Sequence, residues 1–263
     1  MSETPEAPQV TGKMFLFDRP ELMSVEQHGQ LGVGKPEKRF GFCSAVRAIP
    51  VTISEIPAAM KDYPVIFMSA EQPAPLAVVG LIDDVNLFVG DDGEWEANRY
   101  IPGYIRRYPF GVASESGGER IAIVIDAGFD GLRKGGEAPL FDNGAPTQMT
   151  QSAIEFCKNF ERDRQLTDEF VKQLAPYELI TGQNAQFTPQ GATEPTTFAQ
   201  YFGIDEKKLN ELPDDKFLEL RRSGMLAIIY AMVISMGNWR LLLERRARRF
   251  SLTEAQITDR VLN

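Results

Sequence analysis

The side chains best equipped for chemistry lie in one run, Tyr100-Ile101-Pro102-Gly103-Tyr104-Ile105-Arg106-Arg107-Tyr108-Pro109-Phe110. Its phenols present broad apolar faces with a polar tip that needs a partner when buried. Its adjacent guanidinium groups are permanently charged forks suited to carboxylates, phosphates or aromatic faces. This is the chemistry of recognition, since tyrosine and arginine dominate binding energy where proteins meet. Two readings stand side by side. One is an anion- or partner-binding surface. The other is a structural loop packed over a sheet, with the arginines matched to local carboxylates. The candidate binding set is Tyr100, Tyr104, Arg106, Arg107 and Tyr108, together with His28.

Bond-making constellations are missing from the sequence. His28 is the one histidine, so neither a His-rich metal centre nor a pair of imidazoles can form. It lies in a glycine-bearing stretch, and no G-x-S-x-G elbow accompanies it, so a loop-stabilising role fits better than a catalytic triad. Cys43 and Cys157 are far apart and make no C-x-x-C pair, which argues for buried thiols over a disulfide or zinc site. Gly117-Gly118 and Gly131…Gly135-Gly136 match neither G-x-G-x-x-G nor a Walker A loop. The acidic pairs Asp83-Asp84, Asp91-Asp92 and Asp214-Asp215 read as turn and cap residues, because neighbours on a strand point to opposite faces. We therefore expect no catalytic residue, no metal and no cofactor.

The elements that must position the aromatic–arginine run follow from periodicity. Pro102 and Pro109 fix φ and remove donors, leaving room for one helical turn between them. About seven short strand candidates fall between residues 38 and 126: around Phe40–Ser44, Arg47–Ile53, Val65–Met68, Leu76–Ile82, Asn86–Val89, the stretch after Phe110, and Ile121–Ile125. Gly90-Asp91-Asp92-Gly93 is a hairpin turn signal, and Ser54–Met60 reads as a short helix capped by Ser54. Residues 127–147 read as loop, with Leu140-Phe141 as an anchor. Helices then take over: Pro146 to about Leu166, a second from Thr167, a turn at Asp205–Leu209, and a long helix capped by Asp214 that runs to Arg249 with a kink near Gly237-Asn238. Residues 181–198 read as a polar loop.

The expected fold is α+β, an antiparallel, curled or barrel-like sheet in the N-terminal half packed with C-terminal helices. The expected organisation is a flexible tail over 1–13, a β-rich part over 14–147, a helical part over 148–250, and a tail over 251–263 in which Leu252, Ile257 and Val261 can dock. The chain has 263 residues, 43% hydrophobic and 25% charged, ordinary values for a globular protein. A formal net charge of −9 disfavours unspecific binding to nucleic acid or anionic membrane. Five arginines from Arg240 to Arg249 match a helix C-terminus. Phe217, Leu220, Leu226, Ile229, Val233 and Met236 recur at helical spacings, and the uncharged run Ser223–Trp239 falls short of a span, so we expect a core helix and no transmembrane segment. No signal-peptide pattern is present, so a cytoplasmic location is expected, with unconventional export open.

Several blocks also carry a family likeness: Tyr63-Pro64-Val65-Ile66-Phe67, Leu87-Phe88-Val89, the run from Tyr100 to Phe110, Leu140-Phe141-Asp142, Leu212-Pro213-Asp214 through Leu220-Arg221, and Ile229-Tyr230-Ala231. With His28 and Leu31-Gly32 these resemble the bacterial SapC family over roughly residues 14–245. The family name reflects a link to paracrystalline surface layers and is distinct from the transporter permease that shares it. The resemblance brings no catalytic residues that can be carried over to this chain. It implies an accessory role, since members occur beside halogenase-like and cupin-like proteins. Met232 stands where the family leads one to expect a histidine. The favoured function is a non-enzymatic interaction or assembly protein, binding a protein partner or itself. The alternative is an enzyme or accessory subunit of a peptide- or small-molecule-modifying system, with a small-molecule ligand.

Overall fold

The structure, a computed structural model, describes residues 13–114 and 121–260. Residues 1–12 of the expected tail, residues 115–120 with Gly117-Gly118, and Val261 lie outside these residues. Along the chain come β1 (Pro20–Leu22), α1 (Val25–His28), β2 (Leu31–Val33), β3 (Ala48–Pro50), α2 (Ile56–Ala59), β4 (Val65–Phe67) and β5 (Pro75–Val78). Next are α3 (Gly103–Arg106), β6 (Phe110–Ser114), β7 (Ile121–Asp126), β8 (Leu132–Lys134), β9 (Ala138–Pro139), β10 (Phe141–Asp142) and β11 (Ala145–Pro146). The rest comprises α4 (Gln148–Leu174), β12 (Ile180–Phe187), β13 (Thr196–Ile204), α5 (Glu206–Asn210), α6 (Asp214–Arg222), α7 (Met225–Ser235) and α8 (Asn238–Phe250). The fold is α+β with antiparallel pairing, and among the described residues no sheet closes into a barrel.

The chain forms two compact units, each built from two stretches. The first takes residues up to Phe42 and Arg106–Arg162, and the second takes Cys43–Ile105 and everything from Asp163. The boundary therefore cuts the aromatic–arginine run between Ile105 and Arg106, and cuts α4 between Arg162 and Asp163.

In the first unit, β7 pairs with β1 on one side and β6 on the other. The β-branched run Ile121–Ile125 favours this pleated geometry. Phe110, Ile125, Leu140, Phe141 and Cys157 make its buried cluster, so Leu140-Phe141 is an anchor as expected. Thr150 helps hold it by donating its hydroxyl to the Leu140 carbonyl at 2.7 Å. Residues 127–147 are not plain loop: β8 and β9 flank β2, and β10 pairs with β11. Strands of two or three residues between turns give too little alternation to read.

The second unit is organised on a five-stranded sheet, β12-β13-β4-β5-β3, packed with α7. The Ser235 hydroxyl accepts from Val65 N–H at 2.9 Å and donates to the Met232 carbonyl at 2.6 Å. The Asn238 amide donates to the carbonyls of Met60 and Tyr63 at 2.7 and 3.0 Å. Among the described residues, Met225–Phe250 is the one stretch with the length and apolarity to cross a bilayer. It is divided between α7 and α8 and supplies buried Ile229, Met232, Leu242 and Leu243, so it makes no clear span. In α8, Arg246 is only 1% exposed; it pairs with Asp83 at 2.7 Å and donates to the carbonyls of Ile257 and Asp259 at 2.6 and 2.5 Å. Ile257 is buried, as anticipated for a docking residue.

Several local expectations are corrected. Residues 181–198 are mostly hairpin, because β12 and β13 pair over eight register positions despite their polar side chains. The expected strand at Phe40–Ser44 is a 3-10 turn over Gly41–Cys43. Asn86–Val89 forms no named strand; Val89 makes one bridge to Trp95 across the expected turn. The Asn86 side chain takes the local backbone instead, accepting from Phe88 N–H and donating to the Cys43 carbonyl. The two helices meeting at Thr167 are one, since Thr167 bonds back to the Asp163 carbonyl at 2.7 Å and does not cap. The long C-terminal helix is three. Gly224, at φ 80°, breaks it where a side chain would be strained, and a second break falls at Gly237. Pro213 occupies the cap position of α6, with Asp214 in its first turn. Likewise Glu55, not Ser54, precedes α2, and the Ser54 hydroxyl donates to Asp163.

Both cysteines are fully buried free thiols. Burial pushes Cys43 up to about 12 and Cys157 up to about 11, from an ordinary value of 9.0. Native protein is therefore expected to resist thiol reagents at pH 8 and to react fully in urea. In the unfolded chain each thiol ionises near pH 9.0, while the folded chain keeps its protons, so stability falls as pH rises from 9 toward 11. The slope is at most about 1.4 kcal/mol per pH unit for each thiol. Urea midpoints at pH 8 and pH 10, with and without Cys43→Ala, check this. An equal pH dependence in the variant would show that Cys43 is not a source.

Candidate functional site

The first unit carries a cleft of about 550 Å³ beside β7. Phe17, Phe42, Tyr108 and Phe129 supply its rings, and Asp18, Glu37, Asp126 and Asp130 supply carboxylates. Its origin is a buried aspartate at the end of the most β-like run in the sequence. Asp126 is fully buried at the last position of β7. Its Oδ1 accepts from Arg19 N–H at 2.8 Å and from Gly128 N–H at 2.9 Å. Its Oδ2 accepts from Asp18 N–H at 2.9 Å and from the Tyr108 hydroxyl at 3.0 Å. One carboxylate thus ties the strand entering β1, the turn leaving β7 and the phenol of Tyr108 to a single point. Charged acceptors make the stronger hydrogen bonds, so this point is firm.

Around it the rings interlock. Tyr108 stacks on Phe42 with centroids 3.8 Å apart and planes 13° apart. Phe17 and Phe129 meet Tyr108 edge-on, at 5.6 and 5.4 Å. The Tyr108–Pro109 peptide is cis, and Asp126 N–H donates to the Pro109 carbonyl at 2.9 Å. Leu16, which also lines the cleft, has φ 68°, a conformation that a leucine adopts only where its surroundings impose it. Gly111 makes room below: a Cβ there would come within 2.8 Å of Met14 Cε and 3.0 Å of Phe17 Cζ. Burial, and then the charge of Asp126, hold the Tyr108 phenol well above its ordinary value, so it remains a donor.

The candidate residues read from sequence are divided between the two units. Tyr100 lies in the second unit, where its hydroxyl donates to Glu55 Oε1 at 2.8 Å and its N–H to Asp62 Oδ2 at 2.9 Å. Its carbonyl accepts from the Tyr63 hydroxyl. Tyr104 is half-buried on the short helix α3, which forms between the prolines as expected. Arg106 is exposed, with its guanidinium 5.1 Å from the Phe156 ring centre. Arg107 is 8% exposed and lies 4.9 Å from that of Phe160. His28 is 1% exposed on α1. Its Nδ1 meets the N–H and carbonyl of Ser24 at 3.2 and 3.3 Å. Its Nε2 stands 3.4 Å from Glu21 Oε2, within reach of the charge but without a hydrogen bond. Of the set, Tyr108 alone lines the cleft.

The family profile for SapC matches residues 23–242. The chain belongs to the SapC family. No curated protein and no solved structure is similar enough to count as a match. The SapC match includes Glu37, Lys38, Phe42, Tyr108, Asp126, Phe129 and Asp130, but starts after Leu16, Phe17 and Asp18. Met232, where a histidine was expected from the SapC resemblance, is a buried apolar residue of α7. Among the described residues no group of three or more His, Cys, Asp or Glu side chains has the arrangement to hold a metal ion.

The sequence reading missed Asp126, and missed Phe17, Phe42 and Phe129 as ring partners. A signal for the first was available. An aspartate closing a β-branched run, followed two residues later by Gly128, is the pattern of a side chain that bonds its own turn. For the rings no signal existed, because they come from separated segments.

Proposed function

We propose that this SapC-family chain is a non-enzymatic interaction protein whose contact site is the cleft around Tyr108. The observation that carries this reading is the commitment of Asp126. Its two oxygens already accept four hydrogen bonds, so the buried carboxylate positions the cleft and has no lone pair left for proton abstraction. What the cleft presents is rigid aromatic surface, which binds by contact at low entropic cost. A second reading, an accessory subunit that holds a small molecule for a modifying system, draws on the cleft's volume, which lies within the roughly 300–1,000 Å³ usual for ligand sites.

The test is affinity capture with crosslinking from the cell that makes the protein, using the wild type and Phe42→Ala. Size-exclusion chromatography of both forms looks for a second copy as the partner. A defined protein, or self-association, that is present with the wild type and at least about tenfold reduced with the variant supports contact recognition. Equal recovery with a folded Phe42→Ala variant rules the cleft out as the contact site.

A further inference from the structure

We propose that the cleft receives a basic side chain, a lysine ammonium or an arginine guanidinium, presented by a protein partner. The inference rests on the contact reading above and names the chemistry of what is bound. Three features converge on it. Four rings line one cleft, and aromatic faces attract cations through their quadrupole. The side chains of Asp18, Glu37 and Asp130 are exposed there, against the single cation Lys38 among the described lining residues. Asp126 adds a fourth negative charge behind them, while one oxygen of Asp130 is engaged by Glu37 N–H at 3.3 Å.

The third feature is that several rings elsewhere already carry one of the protein's own arginines. Arg106 lies over Phe156, Arg107 over Phe160, Arg245 over Phe88 and Arg246 over Phe250. Phe17, Phe42, Tyr108 and Phe129 pack against one another, and among the described residues no guanidinium or ammonium lies over them. The local field agrees, since Asp126, Asp130 and Asp18 all add to the effect of burial in raising the Tyr108 phenol. A side chain with its flanking backbone suits a volume of about 550 Å³, far more than a bare ammonium occupies.

The full chain is titrated calorimetrically with blocked Gly-Lys-Gly, Gly-Arg-Gly and Gly-norleucine-Gly, and with tetramethylammonium. The lysine or arginine peptide is expected to bind about tenfold more tightly than the norleucine peptide. The exposed double variant Glu37→Gln/Asp130→Asn should weaken the basic peptide several-fold while leaving norleucine binding unchanged, and added salt should reproduce that loss. Norleucine binding equal to lysine and arginine would overturn recognition of charge while leaving the cleft a contact site. Tetramethylammonium binding as tightly as the basic peptides would overturn a protein side chain as the source. If no probe binds, cation recognition fails, and the capture experiment with Phe42→Ala then decides separately whether the contact reading survives.

Discussion

Asp126→Ala is expected to cost the first unit roughly 3–5 kcal/mol, the range for removing one partner from a buried charged network. The substitution removes the acceptor for three backbone N–H groups and for the Tyr108 hydroxyl. Each donor left unsatisfied out of water costs about 1–3 kcal/mol. The full sum is not reached, because Asp18 and Arg19 are exposed enough for water to replace part of what is lost. Tyr108→Phe removes one of the four bonds and should cost about 1.5–3 kcal/mol, the range for a hydrogen bond to a charged group. Urea unfolding followed by far-ultraviolet circular dichroism, with hydrogen exchange over β1, β6 and β7, measures both. A loss under 1 kcal/mol for Asp126→Ala, with exchange protection intact, would show that the four bonds do not organise the cleft.

Glu55→Ala should be as damaging to the second unit, again by roughly 3–5 kcal/mol. Glu55 is buried at the start of α2, and both oxygens are doubly engaged. Oε1 accepts from the Tyr100 hydroxyl at 2.8 Å and from Gly103 N–H at 2.5 Å. Oε2 accepts from the N–H and hydroxyl of Thr52, both at 3.0 Å. Glu55→Gln keeps the shape but turns an amide NH₂ toward donors, so it should recover only part of the loss. Trp95 and Trp239 both belong to the second unit, so tryptophan fluorescence during urea unfolding reads the change. A Glu55→Gln protein as stable as the wild type would show that charge on this carboxylate is irrelevant and that shape alone holds the start of the Tyr100 run.

Glu55 and Asp126 together explain what the sequence could and could not disclose. The α+β class, the turn at Gly90–Gly93, the single helical turn after Pro102 and the strand at Ile121 were legible because each depends on local chemistry: proline geometry, a turn-forming Asp-Gly, β-branched packing. The density of the Tyr100–Phe110 run was legible too, and its arginines proved to lie over phenylalanine rings. Its division was not. The two phenols at its ends point to carboxylates 45 and 18 residues away, and sequence distance carries no trace of such pairings. The β12–β13 hairpin was hidden for a related reason. Its ladder satisfies the backbone, so Gln183, Asn184 and Gln186 can stay polar without weakening it.

Arg246 has a practical implication for protein engineers. A permanently charged group enclosed in α8 takes two of its acceptors from the main chain at Ile257 and Asp259. The segment beyond Phe250 therefore serves as part of the dielectric lining of an interior ion. A shortened version ending at that helix, however tidy on paper, would strand a cation beside Asp83 without those oxygens.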